Sequence, residues 1–267
     1  MKAIILAAGI GSRLGNSNPK PLTKLKNGES ILGRQVAYLS EYLGVTNIIA
    51  IVGYKKDLIM ESFPNLLYVY NNFYDTTNTS KSLLAGLNKI ENENVLWLNG
   101  DVVFEKELLP QIIKCSKSCM AVNTNSVGEE EIKYNIFDDG NIKEVSKTVS
   151  PALGEAVGIN KIISSDLSLF KGNLEKCNNQ DYFEKALEIQ VHLEDQLMEA
   201  KILNNLAGCY SNTANPDQAE KLLFRSIRIK ERLEEGKSLA FSYGEMGNAL
   251  LVKGDITNAI IHIQKSL

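Results

Sequence analysis

The segment Leu6-Ala7-Ala8-Gly9-Ile10-Gly11-Ser12-Arg13-Leu14-Gly15 constrains this chain more than any other. An apolar run of one strand's length, ending at Ala8, passes directly into glycines and then into the bases Arg13 and Lys20, the latter between Pro19 and Pro21. A strand that feeds a Gly-rich turn lets backbone N–H groups approach a phosphate chain, because small side chains leave the backbone open. Leu6, Ala7, Ala8, Gly9 and Gly11 are therefore candidate nucleotide-binding positions. Arg13 and Lys20 add fixed positive charge for terminal phosphates, where it is needed most as pyrophosphate departs. Other glycine loops are excluded. The third position of the G-x-G-x-x-G spacing is Leu14, with no acidic residue about twenty positions on, as a dinucleotide site requires. No Gly-Lys-Ser/Thr follows either, which removes the Walker loop.

Strand-like and helix-like stretches alternate through the first two-thirds of the chain, the pattern of an open α/β sheet. Strands are expected at Ile4–Ala8, Asn47–Val52, Leu66–Tyr70, Asn94–Leu98, Met120–Thr124, Ile132–Phe137, Ile142–Ser146 and Gly154–Lys161. Helices are expected at Ile31–Leu43 behind the cap Ser30, near Lys55–Glu61, from Ser80 to about Ile90, and at Glu105–Lys117 and Asp166–Glu175. Asp138-Asp139-Gly140 reads as a hairpin turn. After about residue 180 strand signals vanish and the chain repeats itself. Leu206, Tyr210, Ala214, Ala219, Leu223 and Ser226 recur forty residues later as Met246, Leu250, Gly254, Ala259, Ile263 and Ser266. The expected architecture is a Rossmann-like open mixed sheet over 1–178, followed by all-α helical hairpins over 179–267.

Two further patches carry chemistry. Asn99-Gly100-Asp101 follows a buried strand, where ligands of open α/β sheets bind, and Mg²⁺ favours one or two carboxylates together with substrate phosphates. Asp101 as a mere loop cap is the plain alternative. Asn71-Asn72-Phe73-Tyr74-Asp75-Thr76-Thr77-Asn78, then Ser82-Leu83, is the second patch. Tyr74 and Trp97 have faces suited to a quaternary ammonium, although Trp97 lies inside an apolar strand and is expected in the core.

With these residues in place, LAAGIGSRLG and PKPL resemble the signature of the nucleotidyltransferase superfamily that includes sugar-1-phosphate nucleotidylyltransferases and phosphocholine cytidylyltransferases. The resemblance covers roughly residues 1–175. It implies a Mg²⁺-dependent transfer of CMP, or another NMP, from an NTP (CTP favoured) to a small phosphorylated acceptor such as phosphocholine. It also implies that Arg13 and Lys20 neutralise the triphosphate and that Asp101 holds the metal. Asn78 and Ser82 would help recognise the nucleotide, and Tyr74, Lys147 and Glu155 would border the acceptor. A sugar-1-phosphate acceptor is the alternative. Members of this superfamily carry a second metal-binding Asp on a later strand, and here the helical repeats begin instead, with Asp166 or Glu155 as possible substitutes. That departure keeps open a different reading, a scaffold with a catalytically impaired nucleotide-binding domain. The repeats themselves resemble tetratricopeptide repeats, with a period above the usual 34 or so; the resemblance implies a protein or peptide partner.

Composition excludes other classes. A net charge of −3 provides no basic field for nucleic acid, and no apolar run reaches the roughly 18 residues of a membrane span. The N-terminus lacks a signal peptide's features, so the cytoplasm is expected. Cys115, Cys119, Cys177 and Cys209 fit no ligand spacing and are expected as buried thiols, the first two on one helix face. His192 and His262 are expected as solvated or groove residues of helices.

Overall fold

A computed structural model describes residues 1–11, 18–125, 127–212 and 215–267, the side chains of Cys209, Ser211 and Asn212 aside. It divides into two compact units, Met1–Gln190 and Val191–Leu267. In chain order the first holds β1 (Lys2–Ala7), α1 (Ile31–Leu43), β2 (Ile48–Val52), α2 (Lys56–Ser62), β3 (Leu67–Tyr70), α3 (Thr79–Leu87), β4 (Val95–Asn99) and α4 (Leu108–Lys114). Then come β5 (Cys119–Asn123), β6 (Lys133–Ile136), β7 (Ile142–Ser146), β8 (Gly154–Ile162) and α5 (Ser164–Lys176). The helix α6 (Glu184–Asn212) starts here, and its residues from Val191 belong to the second unit.

The eight strands form one mixed sheet in the order β3-β2-β1-β4-β8-β6-β7, with β5 also paired to β8. The β3-β2-β1-β4 half is parallel, and β8 turns the sheet antiparallel. Alternation along the strands sends side chains to opposite faces. Ile4, Leu6, Ile49, Ile51, Val95 and Trp97 pack one face with Leu83, Leu87, Phe170, Leu174 and Phe183. Ala3, Ile5, Ile48, Ala50, Leu96 and Leu98 pack the other with Leu32, Leu39, Ile59 and Leu109. Trp97 is in the core as expected, stacked on Phe170 and edge-on to Phe183.

Two helices differ from the sequence reading. The cap of α3 is Asn78, whose side chain accepts from the Thr79 N–H at 2.8 Å, and Ser80 is fully buried inside the helix. The amides of Asn78 and Ser80 donate to the carbonyls of Asn179 and Asp181, which fixes where the chain enters the helix. Helix α4 runs Leu108–Lys114 and is shorter than expected at both ends; at its C-terminal end Lys161 on β8 donates to the carbonyls of Ile113 and Cys115. Segment 179–190, placed with the helical repeats by sequence, belongs to the first unit, since Phe183 and Ala186 complete its core.

The second unit consists of the remainder of α6 with α7 (Pro216–Arg232), α8 (Gly236–Lys253) and α9 (Ile256–Lys265). The repeat of forty is visible in its caps. Asn215 accepts from Gln218 N–H and Asp255 from Asn258 N–H, each opening a helix. Ala207, Ala219, Leu223, Met246, Leu250 and Ala259 share one core. Leu206 departs from the repeat: it is exposed where its counterpart Met246 is buried. Lys230 is buried and donates to Ser242 Oγ and the Ser238 carbonyl, a polar core held by α7 and α8. No helix among the described residues is long and apolar enough to cross a membrane.

Just past β2, Gly53 lets the chain pass against the end of β1. A Cβ there would come 2.6 Å from the Ala8 carbonyl oxygen and 2.5 Å from Tyr74 Cβ. Backbone on one side and a ring stem on the other leave nothing to give cheaply. Gly53→Ala is expected to destabilise the first unit by about 1–3 kcal/mol, read as a lower urea midpoint in the fluorescence of Trp97, the chain's one tryptophan.

Candidate functional site

The parallel strands β1 and β4 are neighbours in the sheet, but the chain leaves β1 toward β2 on one side and leaves β4 toward β5, paired to β8, on the other, so a crevice opens at their carboxyl ends. A cavity of about 560 Å³ occupies this place. Leu6, Ala7, Gly9, Gly11, Lys20, Asn99 and Asp101 line it from the β1 and β4 ends. Glu130, Glu131, Lys147, Glu155 and Gly158 contribute from the antiparallel half, and Thr79, Tyr182, Phe183 and Glu184 from α3 and the approach to α6.

The strand ends are held by close backbone approach. Gly11 has φ +67°, and a Cβ on it would lie 2.9 Å from Lys20 Cγ. Both facts require glycine there: the turn needs the left-handed conformation, and the stem of Lys20 lies over it. Lys20 opens a short 3₁₀ turn, Lys20–Leu22, whose Pro21 is buried. Gly100 faces that turn. A Cβ on Gly100 would lie 2.7 Å from the Leu6 carbonyl oxygen and 3.0 Å from Pro21 Cγ. The turns carrying Lys20 and Asp101 are thereby pressed together, and Lys20 Nζ stands 3.6 Å from Asp101 Oδ2. Neither side chain is buried, so the pair is free to exchange its mutual attraction for a ligand's. From α1, the buried Gln35 donates to the Asn99 carbonyl at 3.0 Å and the Val102 carbonyl at 2.7 Å, fixing the loop that bears Asp101.

The remaining lining is acidic. Glu155 is tied at both oxygens, accepting from Asn123 Nδ2 at 3.1 Å and from the Gly128 N–H at 3.0 Å. Lys147 donates to Glu130 at 3.4 Å and lies over the Tyr182 ring, 5.4 Å from its centre. Glu184, in the first turn of α6, is only 6% exposed. Burial pushes its carboxyl up to about 7, with Glu188 adding to the shift and a hydrogen bond from its own amide opposing it.

Of the residues singled out in the sequence, Leu6, Ala7, Gly9, Gly11, Lys20, Asp101, Lys147 and Glu155 meet at this one cavity. Arg13 lies outside the described residues. Ala8 is buried and its carbonyl accepts from Tyr54 N–H. Asn78, Ser82 and Tyr74 are not among the lining residues. Asn78 caps α3 and donates to the Gln180 carbonyl at 3.2 Å, Ser82 accepts from the buried Asn71 at 3.0 Å, and Tyr74 packs on Gly53. Asp166 is elsewhere too, its carboxylate accepting from Ser118 and Ser165. Sequence reasoning missed Gln35, whose signal was an amide at a core-facing position between Leu32 and Leu39. It also missed Glu184, which stands in a stretch equally readable as a repeat helix.

Comparison with known proteins identifies the family. The MobA-like NTP transferase domain family matches residues 3–164. The chain is 33% identical over 121 residues to CMP-5'-(3-aminopropyl)phosphonate synthase of Streptomyces rubellomurinus, covering 42% of this chain and 19% of that protein. It is 38% identical over 111 residues to choline-phosphate cytidylyltransferase of Streptococcus pneumoniae, 37% of this chain and 47% of the other. The chain thus spans less than half the length of these relatives. Among solved structures, the inositol-1-phosphate CTP transferase from T. maritima superposes with a TM-score of 0.58 at 17% identity, over 72% of this chain and 81% of that one. At that identity the likeness is one of fold.

The raised Glu184 carboxyl has a consequence for stability. Its pKa rises from 4.5 unfolded to about 7 folded, so between those values the folded chain holds a proton the unfolded chain lacks. Stability is then highest below the unfolded value and falls as pH rises through 7, by up to about 3 kcal/mol. Glu184→Gln is expected to match the wild type near pH 4.5 and to exceed it at pH 8. Urea unfolding followed by Trp97 fluorescence at both pH values checks this; equal stabilities at pH 8 would contradict it.

Proposed function

The chain belongs to the MobA-like NTP transferase domain family, and from that premise we propose that it transfers a nucleotidyl group, CMP by preference, from an NTP to a small phosphorylated acceptor with release of pyrophosphate. The observation that carries the proposal is the pair Lys20 and Asp101, 3.6 Å apart at the ends of β1 and β4 beside the open backbone of Gly9 and Gly11. A cation and an acid kept this close, in a crevice lined by glycines, suit a triphosphate and its metal ion.

The residues divide the work. Backbone N–H groups around Gly9 and Gly11 receive the phosphates, and Lys20, with Arg13, balances the charge of the β and γ groups. Asp101 would hold Mg²⁺. Among the described residues no cluster of three or more His, Cys, Asp or Glu offers a complete protein cage, which fits an ion held by one carboxylate together with substrate phosphates. When bound, the ion supplies positive charge that offsets the phosphate oxygens. An acceptor oxygen attacks the α-phosphorus and pyrophosphate leaves in line, so catalysis rests on positioning and charge and requires no protein nucleophile. Glu155 and Glu184 are the further carboxylates lining the same cavity.

The acceptor end favours a cation. Glu130, Glu131, Glu155 and Glu184 outnumber Lys147 there, and the Tyr182 ring already receives an ammonium. An amine-bearing phosphate or phosphonate, of the kind named in the two bacterial relatives, matches this chemistry best. A sugar-1-phosphate is the alternative, supported by the fold shared with the inositol-1-phosphate enzyme. The single carboxylate beside Lys20 also supports a second reading, a nucleotide-binding scaffold with weak or no turnover. On either reading the reaction belongs in the cytoplasm, and the helical hairpins, like tetratricopeptide repeats, offer a surface to a protein or peptide partner.

A screen of NTPs against phosphocholine, an aminoalkylphosphonate and sugar-1-phosphates, reading pyrophosphate with Mg²⁺ present, separates these readings. CTP with an amine-bearing acceptor is expected to be fastest. Lys20→Ala and Asp101→Asn are each expected to lower kcat/KM by about a hundredfold or more. No pyrophosphate from any combination would overturn the transferase reading.

A further inference from the structure

Cys115 and Cys119 bracket the turn Ser116-Lys117-Ser118 between α4 and β5. They do not share a helix face. Cys115 is the C-cap of α4, with φ −55° and ψ 128°, so the chain has already left the helix there. Cys119 opens β5 and is the antiparallel register partner of Lys161 on β8. The Lys161 side chain is buried and donates to the Ile113 carbonyl at 2.8 Å and to the Cys115 carbonyl. One lysine thus anchors both ends of the turn and folds it back on itself. Both cysteines are half-buried, and Cys119, the register partner of Lys161, lies beside the lysine whose ammonium reaches back to the Cys115 carbonyl, so the turn brings the two residues together.

The two sulfurs are not equivalent. A hydrogen bond from the Lys117 amide, then one from the Cys119 thiol, then the charges of Lys161 and Lys117 hold Cys115 below the ordinary thiol range, against the effect of burial. Burial first, and the hydrogen bond to Cys115 second, push Cys119 up to about 11. Of the two sulfurs, Cys115 ionises more readily and Cys119 holds its proton more tightly. Cys177 provides the contrast: it is buried and donates to the Asn173 carbonyl at 3.4 Å.

We propose that Cys115 and Cys119 are a redox modification site that closes to a reversible intrachain disulfide on exposure to a peroxide. The Cys115 thiolate attacks a peroxide oxygen, the O–O bond breaks, hydroxide leaves and Cys115 becomes a sulfenic acid. The Cys119 sulfur then attacks Cys115, an S–S bond forms, and the sulfenic oxygen leaves as water with the Cys119 proton. The two thiols give up two electrons and the peroxide takes them. A dithiol returns them by exchange.

The test uses the full chain treated with hydrogen peroxide. The expected product has lost the mass of two hydrogens. Because Lys117 lies inside the bridge, trypsin cleavage there leaves two peptides joined until dithiothreitol separates them. Before oxidation, iodoacetamide at neutral pH is expected to label Cys115 at least about tenfold faster than Cys177. In Cys119→Ser no bridge forms, and Cys115 is trapped as a sulfenic acid by dimedone. The proposal fails if both thiols still alkylate after peroxide, if the bridge joins another cysteine, or if Cys115 in the wild type passes directly to sulfinic acid.

Discussion

The carboxyl ends of β1 and β4 approach so closely that a single methyl group would not fit between them and their neighbours. Gly100 stands against the Leu6 carbonyl and Pro21, Gly11 against the stem of Lys20, and Gly53 against Ala8. Interiors packed at this density do not deform continuously, so the turns carrying Lys20 and Asp101 have one relative placement. Gln35 pins the second turn from below through the carbonyls of Asn99 and Val102. The cavity, its glycine wall and its cation–acid pair all follow from that contact between backbones.

Where the sequence was legible, it was legible for a physical reason. The apolar run Ile4-Ile5-Leu6 with glycines just beyond is a local pattern, and it located the first strand and the glycines Gly9 and Gly11 that line the crevice. Asp101 was readable because a carboxylate after a buried strand has few other places to stand. Asn78 and Ser82 looked equally local, yet their partners, Gln180 and Asn71, lie elsewhere in the chain or in the loop before α3. Those bonds depend on tertiary placement, which spacing does not encode. Glu184 was hidden for a similar reason. Its stretch has helical periodicity compatible with either unit, and only the burial of Phe183 against Trp97 assigns it to the first.

The acidic half of the cavity and the glycine half make different demands. A triphosphate needs positive charge and open backbone, while Glu130, Glu131, Glu155 and Glu184 repel anions and attract amines. Glu184 sits in a helix's first turn, where the backbone favours its anion, yet burial dominates and raises its pKa. A carboxyl poised near neutrality would become charged readily once a cation arrived beside it. In the second unit the repeat of forty is reproduced in the caps Asn215 and Asp255, while Leu206 and Met246 show that the two copies have diverged in what they bury.

On the proposed function, Lys20 and Asp101 receive a metal–triphosphate together. Calorimetric titration of the full chain with CTP, with and without Mg²⁺, tests it most directly, in the wild type, Lys20→Ala and Asp101→Asn. Mg²⁺-enhanced binding is expected in the wild type, weaker binding in Lys20→Ala under both conditions, and loss of the Mg²⁺ enhancement in Asp101→Asn. Undiminished, Mg²⁺-enhanced binding in both variants would contradict it.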